Sequence, residues 1–189
     1  MNSSWIIVAV LAATALYVIF VFNRLVRLRN LAREGWSGID VQLKRRSDLV
    51  PNLVETVKAY AAHERGVLEE VTARRQSSLA AGDVARRAAA EQALQGALGK
   101  LFAVAEAYPD LKADKNFLSL QQQLAEIEDQ LQMARRYYNG TARNLNIGIQ
   151  SFPDNLFAGL LGFREQPFFE LQDRTKAAAP SVAFQAPKA

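Results

Sequence analysis

The chain has 189 residues, of which 50% are hydrophobic and 9% aromatic, and its formal net charge is +4. This size and balance predict a single helical domain, because the strands of β-sandwiches and barrels favour aromatic and β-branched residues. The absence of cysteine excludes disulfides, thiol catalysis and thiolate metal sites.

An apolar segment at residues 5–22, WIIVAVLAATALYVIFVF, contains no charged residue. As a helix it would cover ~27 Å, close to the ~30 Å of a hydrocarbon core. No small-x-small cleavage site follows Phe22, so we expect residues 1–23 to be an uncleaved membrane anchor and not a signal peptide. The residues expected to form and flank this anchor are Trp5, Ile6, Phe20, Phe22, Arg24, Arg27 and Arg29.

Basic residues are concentrated directly after the apolar segment. Residues 23–46 hold seven basic side chains against two acidic ones. Under the positive-inside rule this asymmetry predicts that the chain starts outside and that its bulk lies in the cytoplasm. We therefore expect a single-pass protein of the bacterial inner membrane.

Amphipathic stripes follow the anchor and predict a helical bundle over residues 24–151. Apolar residues recur at alternating intervals of three and four from Trp36 to Tyr60, with Arg46 as one basic intruder, and again from Phe117 to Ile149. A third stripe ends at Tyr108. Such stripes must pack on one another, so the sequence predicts an all-α fold: a transmembrane helix followed by a four-helix up-and-down bundle.

Helices are expected near residues 24–62, 64–81, 84–107 and 114–150. Gly82 and Asp83 form a break between two of them, as a helix end and an N-cap. The region around His63 is open: it is either a reversal, which we favour, or the middle of one very long helix. A lone histidine cannot complete a histidine-rich metal site, so His63 is interpreted as a helix-end or surface residue.

Prolines mark the other irregular positions. Pro51 lies within an unbroken heptad register, which favours a kink, and the alternative is a new helix start with Asp48 as its N-cap. Pro109 and Pro153 are expected to end the helices before them.

Charged and polar residues inside the predicted bundle are interpreted as structural. Arg46, Arg135 and Arg136 can form buried ion pairs that fix helix register. Their expected partners are Glu55, Glu106 and Glu128. A polar group on the last long helix, expected to form hydrogen bonds between helices, comprises Tyr137, Tyr138, Asn139, Asn144 and Asn146.

A Phe-rich segment at residues 152–172 carries five of the ten phenylalanines. We expect a short helix capped by Asp154 that closes the end of the bundle. An alternative is that the segment presses into the lipid headgroups. The candidate interfacial residues are Phe157, Phe163, Phe168 and Phe169. Residues 173–189, rich in alanine, are expected to be a disordered tail.

Several collinear stretches resemble the LemA family of bacterial membrane proteins. They are DVQLKRRSDLVPNLVETVKAYAAHE at residues 40–64, AVAEAYPDLKADKNFLSLQQQL, ARRYYNGTARNLN and the FFE at residues 168–170. The resemblance runs from the anchor to Glu170. It implies a short N-terminal anchor and a cytoplasmic helical bundle, and it brings no catalytic mechanism.

These observations predict a non-enzymatic, membrane-anchored bundle that acts as an assembly, scaffold or adaptor module. Its expected partners are the lipid bilayer and copies of itself or other membrane proteins, with no cofactor, bound metal, nucleic acid or small-molecule substrate. The alternatives are a carboxylate- or metal-dependent hydrolase and a membrane-remodelling protein. A glycine-rich phosphate loop and a G-x-S-x-G elbow are both missing from the sequence.

Overall fold

The structure is a computed structural model that describes residues 3–170, with side chains from residue 5 onward. Regular structure in this part of the chain is entirely helical: α1 (Ser3–Tyr60), α2 (Arg65–Ala80), α3 (Val84–Ala105), α4 (Pro109–Ala113), α5 (Lys115–Gln150) and α6 (Asn155–Ala158). The predicted all-α fold is therefore confirmed. The predicted tail at residues 173–189 lies outside the described residues.

The first helix is one continuous rod. α1 has 58 residues and is ~87 Å long at 1.5 Å per residue, so the apolar segment and the first bundle helix share one axis. Pro51 lies inside α1 on an exposed face, and Asp48 pairs with Lys44 at 3.2 Å. The alternative of a new helix start at Asp48 is therefore wrong.

The chain reverses at residues 61–64, as the favoured interpretation predicts. His63 is exposed in this turn, and α2 runs back along α1. The side chain of Arg75 on α2 donates to the carbonyl of Ser47 on α1 at 2.7 Å, which ties the two helices together well away from the turn.

Caps define the starts of α3 and α5. Asp83 accepts a hydrogen bond from the backbone N–H of Arg86, as predicted, and Asp114 accepts one from the N–H of Phe117 at 2.9 Å. The backbone N–H of Phe117 and, to a lesser extent, the hydroxyl of Tyr60 lower the pKa of Asp114. Tyr60, predicted to lie in the apolar seam, is instead 41% exposed because its hydroxyl reaches Asp114.

The core consists of three clusters along the α1 axis, and the middle one joins α1, α3 and α5. At the distal end, four long helices share one cluster that includes Leu53 of α1, Val71 of α2, Leu101 of α3 and Leu124 of α5. Nearer the apolar segment, α1 and α5 continue as a pair. Their shared residues there include the fully buried Leu25 and Leu145.

Small residues let α1 and α5 approach closely along this pair. A Cβ atom at Gly35 would lie 3.0 Å from the Cα of Tyr138 and 3.1 Å from the hydroxyl oxygen of Thr141. A Cβ at Gly148 of α5 would lie 3.2 Å from side-chain carbons of Leu25 and Leu28. A side chain at Gly35 would press on the backbone of Tyr138 and push the helices apart, whereas one at Gly148 would require the two leucine side chains to shift by a few tenths of an ångström.

We predict that Gly35→Val destabilises the folded chain by about 2 kcal/mol, because the backbone of Tyr138 cannot move aside as a side-chain tip can. The matched control is Gly96→Val in α3, where a Cβ would meet nothing within 4 Å and the change should stay within about 0.5 kcal/mol. Urea unfolding of the full chain in detergent, followed by far-UV circular dichroism, measures both. Equal stability of the two variants would contradict the close packing.

Candidate membrane-proximal site

The residues after α5 fold back onto the part of α1 that emerges from the apolar segment. We call residues 152–163 the lid and residues 164–170 the strap. Ala158 and Phe163 of the lid are buried together with Val21 and Leu25 of α1. The lid therefore covers one side of α1 at the boundary between the apolar segment and the bundle.

A buried carboxylate fastens the lid to α1. Asp154 is only 5% exposed in its side chain, and it accepts hydrogen bonds from the hydroxyl of Tyr17 and the guanidinium of Arg24, each at 2.6 Å. A carboxylate removed from water needs such partners, and a charged donor makes the stronger bonds. The predicted role of Asp154 as an N-cap is wrong, because its side chain makes no capping bond and is used in this latch.

Aromatic rings fill the space around this latch. The ring of Phe157 lies 6.2 Å from that of Tyr17, and the ring of Phe163 lies 5.8 Å from that of Phe22. The guanidinium of Arg29 lies 5.1 Å from the centroid of Phe163. Two of the arginines predicted to flank the anchor, Arg24 and Arg29, thus bind lid residues.

The strap runs back beside α5 and is held through its backbone. The side chain of Asn146 both donates to the carbonyl and accepts from the N–H of Gln166, at 2.9 and 2.8 Å. Asn139 makes the same paired contact with Phe169. Where we expected hydrogen bonds between helices, these asparagines satisfy an extended segment that has no strand partner of its own.

The end of the strap closes an aromatic cluster over the middle of the α1 and α5 pair. Phe169 is fully buried, with its ring 5.8 Å from that of Trp36, while Tyr138 lies 5.6 Å from Trp36 and donates its hydroxyl to the carbonyl of Pro167. Burial raises the pKa of Tyr138. The guanidinium of Arg135 lies 5.6 Å from the centroid of Phe169.

The candidate interfacial phenylalanines separate into two groups. Phe163 and Phe169 are 4% and 0% exposed, so these two rings cannot contact lipid, which corrects their assignment. Both rings pack between the segment after α5 and the helices α1 and α5, because the lid and the strap fold back onto this helix pair. Phe168 is 38% exposed and Phe157 is half-buried, and their contact with headgroups stays a prediction.

Three apolar residues of the lid other than the candidate interfacial phenylalanines are exposed. Phe152, Leu156 and Leu160 are 80%, 58% and 87% exposed. Leu156 lies in α6, and Phe152 and Leu160 lie in the turns on either side of it, so no helical periodicity marks these three residues in the sequence. In the apolar segment itself, the predicted anchor residues Trp5, Ile6, Phe20 and Phe22 are also exposed, and Arg27 is exposed beyond its end.

A buried charge cluster lies deeper in the bundle. Arg46, 4% exposed, pairs with Glu128 as predicted and also, at 3.5 Å, with Glu91 of α3. Glu91 is 2% exposed and accepts a hydrogen bond from Ser78, and Arg87 lies 3.7 Å from it. Burial lowers the pKa of Arg46, an effect that the charge of Glu91 opposes. The other two predicted carboxylates pair elsewhere, Glu55 with Lys58 and Glu106 with Lys112.

Glu91 was missed as a partner of Arg46. It lies on the buried face of α3 next to alanines, where a carboxylate is not expected without knowledge of which helix faces it. The cluster crosses α1, α2, α3 and α5, so it can fix the relative register of four helices, the function for which buried ion pairs are best attested.

Within residues 5–170, no three His, Asp or Glu side chains are arranged to hold a metal ion. Pro109 begins the short α4, and Pro153 lies in the lid just after α5.

An open groove of about 690 Å³ between α1 and α2 is lined by Val54, Lys58 and Leu68 among others, far from the latch.

The described residues define an all-α protein in which one candidate membrane span continues into a helical bundle. Only α1 among the described helices is long and apolar enough to cross a bilayer, and just 6% of its most apolar window is buried within the protein. The chain belongs to the LemA family, whose sequence profile matches residues 35–184. The match thus begins after the apolar segment, whereas the resemblance in the sequence starts at the anchor, and it extends past Glu170, where that resemblance ends.

Curated relatives are similar over most of the chain. Magnetosome protein MamQ 2 of Paramagnetospirillum magneticum is 26% identical over 175 residues, covering 79% of this chain and 64% of that protein. MamQ of Magnetospirillum gryphiswaldense is 25% identical, covering 78% and 64%. Protein LemA of Metamycoplasma hominis is 29% identical, covering 80% and 69%. The chain therefore spans less than two thirds of the length of the MamQ relatives.

We predict that Arg46→Met destabilises the protein by about 3 kcal/mol, because it removes the partner of Glu128 and leaves the buried Glu91 with Arg87, 3.7 Å away, as its remaining cationic neighbour. Arg45→Met is the matched control: Arg45 is exposed on the neighbouring position, and its loss should cost no more than about 0.5 kcal/mol. Adding Glu91→Gln to Arg46→Met should recover part of the loss. Denaturant unfolding measures all three, and equal midpoints for the two single variants would contradict the buried pair.

We predict that Asp154→Asn loosens the lid without unfolding the bundle, because Arg24 loses its charged partner. Hydrogen exchange measured by mass spectrometry should speed up in peptides covering residues 155–163, while peptides of α2 and α3 stay unchanged. Asp129→Asn, at an exposed position of α5, is the control and should alter neither region. Unchanged exchange in the lid of Asp154→Asn would show that the latch does not hold it.

Proposed function

We propose that this protein is a non-enzymatic, membrane-anchored scaffold whose helical bundle assembles with copies of itself at the cytoplasmic face of the bacterial inner membrane. The observation that carries the proposal is the continuity of α1. The helix that exposes apolar side chains over residues 5–20 is the same helix whose later residues form the bundle core. A bundle joined in this way cannot turn independently of its anchor.

The arginines after the apolar segment support the cytoplasmic orientation. Arg27 and Arg33 are exposed, and Arg24 is 43% exposed in its side chain even while it binds Asp154. Arginines within ~8 to 10 Å of an anionic membrane surface can each contribute ~1 kcal/mol to binding. Their position next to the span is what the positive-inside rule expects of a cytoplasmic flank.

One flank of the α1 and α5 pair offers a surface for self-association. Val41, Met133 and Tyr137 are 52%, 54% and 48% exposed. They belong to the same flank, because Arg45, one turn after Val41, donates to Gln130, one turn before Met133, at 2.9 Å. The lid, the strap and α3 pack elsewhere on this helix pair.

The anchor makes a second copy the best occupant of this flank. Each copy is anchored through its own residues 5–22, so two copies stand parallel in the membrane with this flank at the same distance from the bilayer. A symmetric pair can therefore form without either copy shifting along the membrane normal. Confinement to a plane also raises the effective concentration of one copy around another. A modest apolar patch is therefore enough to form assemblies in the membrane.

We predict that Met133→Cys forms crosslinked dimers with a short bismaleimide in membranes, whereas Ala89→Cys does not. The chain has no native cysteine, so each variant carries a single reactive thiol. Ala89 is exposed on α3, next to Ala88, which packs in the same core cluster as Leu131 of α5, so the two probes stand at similar heights. Dimers from both variants in equal yield would indicate random collision, and no dimers from Met133→Cys would contradict this interface.

A further inference from the structure

The lid lies at a depth that the bilayer itself would occupy. Tyr17, to which the lid is latched, is five residues before Phe22 at the end of the apolar segment, which corresponds to ~8 Å along the helix. The lid residue Phe157 packs against the same tyrosine. If residues 5–22 span the membrane, the lid overlaps its inner edge.

The alternative of a lid standing entirely in water leaves too little span. Excluding the stretch from Tyr17 onward leaves residues 5–16, which cover only ~18 Å against a hydrocarbon core of ~30 Å. The polar residues Asn2, Ser3 and Ser4 precede this stretch and cannot extend it. The length of the apolar segment therefore requires that the lid enter the interfacial layer.

The chemistry of the lid fits that layer. Its apolar residues Phe152, Leu156 and Leu160 are all more than half exposed, while its one carboxylate, Asp154, is buried. The carboxylate is neutralised by Arg24 and satisfied by Tyr17, so the lid presents no unpaired charge at this depth. Exposed apolar residues beside exposed arginines are the pattern of a segment that lies in a membrane interface.

We propose that Phe152, Leu156 and Leu160 form a second lipid-binding surface that inserts into the inner headgroup layer beside the span. This inference rests on the proposed anchoring of α1. The occupant is the lipid bilayer, because the lid packs on Tyr17 and Phe22 of the apolar segment and therefore lies at the level of the inner end of the span. The protein would thus contact the membrane through the apolar part of α1 and through the lid, which Asp154 joins to α1.

The test uses single-cysteine variants of the full chain reconstituted at low density in vesicles of phosphatidylcholine and phosphatidylglycerol. Leu160→Cys carries an environment-sensitive fluorophore on the lid, Leu11→Cys carries it within the span, and Ala62→Cys carries it at the exposed distal turn. Quenching by lipids spin-labelled at shallow or deep acyl positions reports depth, and quenching by iodide reports contact with water.

The label at position 160 should be quenched best by shallow spin labels, and its iodide quenching should be several-fold weaker than at position 62. The label at position 11 should be quenched best by deep spin labels. Leu156→Cys repeats the measurement in case position 160 does not tolerate the label. If labels at 160 and 156 behave like the one at 62 while position 11 remains deep, the lid surface is wrong and the anchor stands. If iodide also quenches the label at position 11, the lid surface and the membrane anchor are both wrong.

Discussion

The close packing of α1 against α5 is the constraint on which the rest of the structure depends. Gly35 allows α1 to approach the backbone of α5 so closely that a Cβ would lie 3.0 Å from the Cα of Tyr138, and a Cβ at Gly148 would lie 3.2 Å from the leucine side chains opposite it. This contact brings the end of α5 beside residues 25–28 of α1, and the lid and strap then follow from that placement. With wider spacing, Asp154 could not reach Arg24, and the strap would have no groove to fill.

Much of the fold could be predicted from the sequence because heptad spacing and caps are local signals. The seam through Leu43, Leu53 and Leu124 is buried as expected, and Asp83 caps α3. The chain reversal near His63 carries no such local signal: it is favoured because it yields a four-helix bundle whose first and last helices match in length. The resemblance to the LemA family predicts the family of the chain, and the profile match over residues 35–184 confirms it.

The site was less predictable because its contacts join residues far apart in the chain. Asp154 stands before a short helix and so reads as an N-cap, but Tyr17 and Arg24 provide hydrogen bonds that only the folded chain brings within reach. Phe163 and Phe169 are apolar like Phe152, and composition cannot show which of them face inward. Glu91 is similar: its burial is explained only by Arg46 on another helix.

The unbroken α1 helix makes the protein a lever as well as a tether. From the end of the apolar segment to Tyr60, a straight helix rises ~57 Å at 1.5 Å per residue. Spanning helices tilt by ~20° on average, and the tilt changes with bilayer thickness. On a rod of this length, a 20° tilt moves the distal turn sideways by ~20 Å. Each change of ~5° in tilt that follows a change in bilayer thickness therefore displaces the distal turn by ~5 Å.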